Sequence, residues 1–195
     1  MLTEEDLEGI AVAAVERAGL DPHEPQNPIE LAEGLGLVVL MDRWPGMRGP
    51  AVLARVSGEH RVYLRPGLPT VTKRWAVAHE TAHHLLGGGD EDMADRLAAA
   101  LLAPLPAALR ACRAKGPSYF DLARALGTTA SAAALRWSET TGVPLALVTP
   151  VRVRVRGAPF AWPAPAAIRG LVKAVPRGLL REPLEPKRSV VRASP

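Results

Sequence analysis

Apolar residues recur at helical spacing near the start of the chain. Leu7, Ile10, Ala11, Ala14 and Val15 fall on one face, Thr3 stands where an N-cap belongs and Gly19 where a helix ends. After a polar connector over residues 21–27, Pro28 opens a short helix that runs to Glu33 and closes at Gly34-Leu35-Gly36. Leu37-Val38-Val39-Leu40 is an apolar run of the length of a buried strand. Residues 49–56 and 60–65 alternate on either side of Ser57-Gly58-Glu59, which is a hairpin signal. These runs predict a small antiparallel three-stranded sheet that feeds into a longer helix through Pro66-Gly67-Leu68-Pro69.

In that longer helix, Trp75, Ala78, Ala82, Leu85 and Leu86 share an apolar arc. His79 and His83 lie at its margin, and Lys73, Glu80 and His84 lie on the opposite side. Gly87-Gly88-Gly89 permits a sharp reversal, after which Asp90 can cap a second helix with Glu91 and Asp92 in its first turn. Two helices therefore meet in a tight hairpin. Within it, His79-Glu80-x-x-His83 puts two imidazoles one above the other, able to face one ion, with Glu80 beside it; this is the arrangement of a zinc hydrolase. A catalytic zinc keeps three protein ligands and one open position. Glu91, just past the reversal, is the candidate third ligand, with Asp90 and Asp92 as rivals. Asp95 stands one turn further on the same face, placed to accept a hydrogen bond from a ligand histidine.

The run Trp75-Ala-Val-Ala-His79-Glu80-x-x-His83, followed by Glu91-x-x-Ala94-Asp95-x-Leu97-Ala98-Ala-x-Leu101-Leu102-x-Pro104, resembles the signature of the ImmA/IrrE-type metallopeptidases. Leu97 stands where that family usually has Phe. The resemblance implies a gluzincin-like site with His79, His83 and Glu91 as zinc ligands and Glu80 as catalytic base. It also implies a substrate class: a helix-turn-helix repressor whose cleavage derepresses stress-response or mobile-element genes.

Beyond Pro104 the pattern stays helical over residues 105–115 and 118–126. Asp121 to Trp137 has the alanines, the turn glycine (Gly127) and the spacing of a helix-turn-helix. Its second helix offers mainly methyl groups, with Thr128, Thr129, Ser131 and Arg136 as the only polar candidates to read bases, so we read it as a packing element. Residues 151–157 alternate Val with Arg and predict a strand with one apolar face and one row of arginines. Residues 164–195, rich in Pro and Arg, read as an arm.

The expected fold is therefore α+β: the antiparallel sheet packed on a helical zincin-like core, a helix-turn-helix-like segment at about 105–141, and a basic C-terminal strand and arm. We expect a metallopeptidase domain over residues 1–150 and a basic appendage over 151–195. Charge divides the same way, since residues 1–100 hold 9 Lys/Arg and 16 Asp/Glu, whereas residues 101–195 hold 15 and 4. An intramolecular fit, an acidic partner or nucleic acid would suit that division, with nucleic acid not favoured. The single cysteine, Cys112, excludes an internal disulfide, and there is neither a signal pattern nor an apolar run of membrane-span length, so a cytoplasmic setting is expected. His23 and His60 read as surface residues, and Tyr63, Tyr119 and His84 as candidate donors to an oxyanion. The rival to a peptidase is a DNA- or repressor-binding regulator whose zinc is structural. Glu80 separates the two, because a closed structural site has no use for a base.

Overall fold

The computed structural model describes residues 2–88, 91–115, 119–141, 145–148, 153–156 and 190–192. The fold is α+β. Helix α1 (Glu4–Arg17) begins at a reciprocal capping box, in which the Thr3 hydroxyl accepts from the Asp6 N–H and the Asp6 carboxylate accepts from the Thr3 N–H. Helix α2 (Pro28–Gly34) starts with proline at its first position and is capped by the side chain of Asn27. Strands β1 (Val38–Leu40), β2 (Ala51–Val56) and β3 (Glu59–Leu64) follow, then α3 (Thr70–Leu86), α4 (Glu91–Leu102), α5 (Leu105–Lys115), α6 (Tyr119–Leu126) and α7 (Ala130–Thr141).

The first sheet is mixed rather than antiparallel, in the order β1-β3-β2. Strands β2 and β3 form the expected hairpin, with Leu53 opposite Val62, but β1 runs parallel to β3, with Val39 opposite Val62. The reason lies in residues 41–50. With Pro45, Gly46, Gly49 and Pro50 among them, they are too long and too broken for a tight turn, so β1 and β2 do not pair. The chain crosses to the far side before β2 begins, and β3 fills the centre. Strand β1 is accordingly an edge, and Val38 is exposed where a buried strand was expected.

Helix α3 is shared by two cores. Ala78 and Ala82 pack with Leu7, Ala11 and Val15 of α1 and with Ala94, Leu97, Ala98 and Leu101 of α4. Ala76 and Val77 pack against the sheet through Ala51, Val62 and Leu64. Alanine on both sides of the α3–α4 contact lets the two helices approach closely. A third cluster joins Ala103 to Leu122, Leu126, Ala133 and Trp137 of α6 and α7.

Strand β4 (Leu145–Val148) pairs antiparallel with β5 (Val153–Arg156) on one side and with β6 (Val190–Arg192) on the other. Thus three residues of the stretch expected to be an arm form an edge strand, while the rest of that stretch, the aromatic pair at 160 and 162, and Asp90 lie outside the described residues. No single helix among the described residues is long and apolar enough to cross a membrane.

Candidate active site

The site lies between α3 and α4. At the C-terminal end of α3, Gly87 takes a left-handed φ of 66°, and the Gly87 and Gly88 N–H groups donate to the carbonyls of His84 and His83 at 3.3 and 2.9 Å. This is the closing pattern that glycine permits and other residues resist. It turns the chain back at once, so that Glu91, the first residue of α4, faces the last two turns of α3.

His79, His83 and Glu91 come together there. The two Nε2 atoms are 3.1 Å apart, and the Glu91 carboxylate spans both, with Oε2 3.2 Å from His79 Nε2 and Oε1 3.5 Å from His83 Nε2. Two ligand atoms, each about 2.0–2.1 Å from a tetrahedral ion, stand roughly 3.3 Å apart, so these separations suit a divalent cation between them. The proton inventory agrees. Asp95 Oδ1 lies 3.1 Å from His79 Nδ1 and accepts a hydrogen bond from its N–H, which leaves the His79 Nε2 lone pair directed at the other two groups. Three electron-rich atoms pointing at one another call for a proton or a metal ion. Glu91 is 73% exposed on its side chain, whereas the imidazoles are largely covered at 17% and 18%, so the cluster opens to solvent past the carboxylate.

Hydrogen bonding to Asp95 raises the His79 pKa above the ordinary imidazole range, against the opposing effect of burial. In metal-free protein that bond contributes stability below the unfolded histidine value, and the contribution is lost as pH rises through the raised folded value. Metal binds the neutral ring, so protons compete with it, and affinity is expected to fall as pH drops through a midpoint above about 6.5. In Asp95→Asn that midpoint should move down, because an amide favours the imidazolium less. Loss of the orienting carboxylate should nonetheless weaken zinc binding at pH 8 by about 10- to 100-fold. Competition with a chromogenic chelator between about pH 5.5 and 8.5 measures both changes.

Glu80 does not point to open solvent. Lys73, Glu80 and His84 form the side of α3 expected to lie opposite the core, yet the hairpin covers part of it. Glu80 Oε2 accepts the Leu53 N–H of β2 at 2.8 Å, and burial raises the carboxyl's pKa while that N–H opposes the rise. Similarly, His60 is half-buried and engaged rather than freely exposed: its Nδ1 lies 2.6 Å from His84 Nδ1, with the rings edge to face. Burial, with His60 and Arg17 nearby, lowers the His84 pKa. Of the candidate oxyanion donors, Tyr63 is buried with its ring 4.7 Å from that of Trp44, His84 is turned to His60, and the Tyr119 side chain lies outside the described residues. Sequence reasoning missed Leu53 and His60, and only their alternation along the hairpin hinted that they face α3.

Of the four candidate base readers, Arg136, Thr128 and Thr129 are turned inward or held locally, and the Ser131 side chain lies outside the described residues. Arg136, a candidate base reader, is 1% exposed and pairs with Glu8 of α1, while its guanidinium also donates to the Ala103 carbonyl at 2.7 and 3.0 Å. Thr128 is buried, and the Thr129 hydroxyl accepts the Ala132 N–H at the start of α7. Arg74 of α3 reaches the Gly127 carbonyl in the α6–α7 turn at 2.7 Å.

Residues 32–138 match the IrrE N-terminal-like domain, a peptidase family. The match spans more than half of the chain and takes in α3, α4 and the bundle through most of α7, so the chain belongs to this family of metallopeptidases, as its signature residues led us to expect. No curated protein matches it.

Proposed function

We propose that the protein is a zinc-dependent endopeptidase whose substrate is another protein, a helix-turn-helix transcriptional repressor. The observation that carries the catalytic part is the convergence of His79, His83 and Glu91 at 3.1 to 3.5 Å, with Glu80 on the adjoining face of the same helix. His79, His83 and Glu91 would hold the ion. The chemistry that zinc supplies when held there is Lewis acidity, which polarises a carbonyl and makes water acidic near neutral pH. Glu80 then takes the proton of the attacking water and returns it to the nitrogen of the leaving amine. Its burial suits that work, since a carboxyl pushed above the usual range holds a proton more readily. Asp95 keeps His79 in the tautomer that presents Nε2.

The proposed substrate class rests on the family resemblance alone, since no residue of the chain selects a repressor. In this reading residues 1–150 form a zincin-like catalytic unit, the helix-turn-helix-like helices pack against it, and residues 151–195 are a basic appendage that helps engage the repressor in the cytoplasm. The burial of Thr128 and the internal hydrogen bonds of Thr129 and Arg136 support packing over DNA reading for α6 and α7.

The test is to incubate the purified, zinc-loaded protein with a candidate helix-turn-helix repressor, the product of the neighbouring gene being the first to try. Two defined fragments are expected, cleavage should stop on chelation, and added Zn2+ should restore it. A repressor that stays intact under zinc-loaded conditions while binding the protein tightly would favour the non-catalytic regulator instead.

A further inference from the structure

Strand β2 is an edge of its sheet, and its hydrogen bonds alternate. The Arg65 N–H donates to the Pro50 carbonyl at 2.9 Å, which sets Val52 and Ala54 to bond with β3 and turns Leu53 outward, opposite Val62. The outward Leu53 N–H is the group an added peptide strand would use. Here it is already engaged, by Glu80 Oε2 at 2.8 Å. One donor thus faces two acceptors, the carboxylate that must handle water and the carbonyl of an incoming chain.

We propose that the Leu53 amide is a shared donor: it holds Glu80 in the free protein and passes to a carbonyl of an extended peptide laid along β2, releasing the carboxylate toward water only when the strand edge is occupied. This rests on the peptidase reading and adds a coupling to it. Leu53 acts as a positioning residue through its backbone, and the side chain at 53 is incidental. The device also blunts the exposed edge, since an edge N–H held by a carboxylate is a poor template for indiscriminate strand pairing.

The probe is a tetrapeptide hydroxamate, which combines an extended backbone with a metal-binding head. Site-resolved amide hydrogen exchange is followed in the full chain, with and without zinc. Without the probe, the Leu53 N–H should be protected in wild type and in Glu80→Gln, and should exchange about tenfold faster in Glu80→Ala. With zinc and saturating hydroxamate, protection should return in Glu80→Ala, because the peptide carbonyl now takes the proton. Leu53→Pro removes the N–H at an edge position that tolerates proline, and should weaken hydroxamate binding about tenfold with zinc content unchanged, whereas Leu53→Ala should bind like wild type. Fast Leu53 exchange in hydroxamate-saturated Glu80→Ala, or undiminished binding by Leu53→Pro, overturns the shared donor and leaves the peptidase reading standing. Failure of zinc-loaded wild type to bind the hydroxamate at all overturns that reading, and this proposal with it.

Discussion

Glu80→Gln is expected to slow peptide hydrolysis by about 10²- to 10⁴-fold, the usual contribution of a positioned general base, while zinc content and thermal stability stay near wild type. The amide is isosteric and still offers an oxygen to the Leu53 N–H, so the anchor at the strand edge survives. What it cannot do is accept a proton from water. In cells that carry the repressor and a reporter, wild type should derepress and the variant should not. Metal analysis, fragment analysis and the reporter must agree. A Glu80→Gln protein that derepresses as well as wild type would show that binding, and not cleavage, switches the genes. That outcome would leave the His79, His83 and Glu91 cluster as a structural site.

The parts of this molecule that were legible in the sequence are those whose causes are local. Thr3 caps α1, Pro28 opens α2, and the glycines after Leu86 end α3 by a backbone conformation that little else adopts. The approach of Glu91 to His79 and His83 was legible in part: the short reversal brings the first turn of α4 back to α3, but it left Asp90 and Asp92 as rivals. The direction of β1 was not legible. Which strand becomes the centre of a sheet depends on pairing energies between distant segments, and an apolar run of four looks the same in either direction. Contacts across long separations were equally hidden. Leu53 and Glu80 are 27 residues apart and His60 and His84 are 24 apart, so a helix face that looked free by periodicity turned out to be roofed by a hairpin. For Arg136 the packing role was legible from the methyl-rich helix around it, but its partner, 128 residues away, was not.

That partner sets the second large expectation. Glu8→Ala should destabilise the protein by about 1.5–3 kcal/mol, measured by urea denaturation, because it removes the carboxylate that pairs with a guanidinium that is 1% exposed. The loss reaches further than one ion pair. Glu8 also accepts the Leu105 N–H at 3.1 Å, so its carboxylate ties α1 to the start of α5 as well as to α7. The Ala103 carbonyl satisfies part of the Arg136 fork but supplies no countercharge. Replacing both partners together, as in Glu8→Leu with Arg136→Met, should recover much of the lost stability, because buried ion pairs are frequently matched by apolar packing once neither charge remains. If the single variant instead unfolds α6 and α7 alone, leaving α3 and α4 protected in hydrogen exchange with zinc still bound, the helix-turn-helix-like segment is a separable module. A single cooperative transition would show that α7 is part of the scaffold that holds the metal helices together. Arg136 would then be unable to leave for DNA without unfolding the site, and the arginine most suggestive of base reading would be the strongest argument against it.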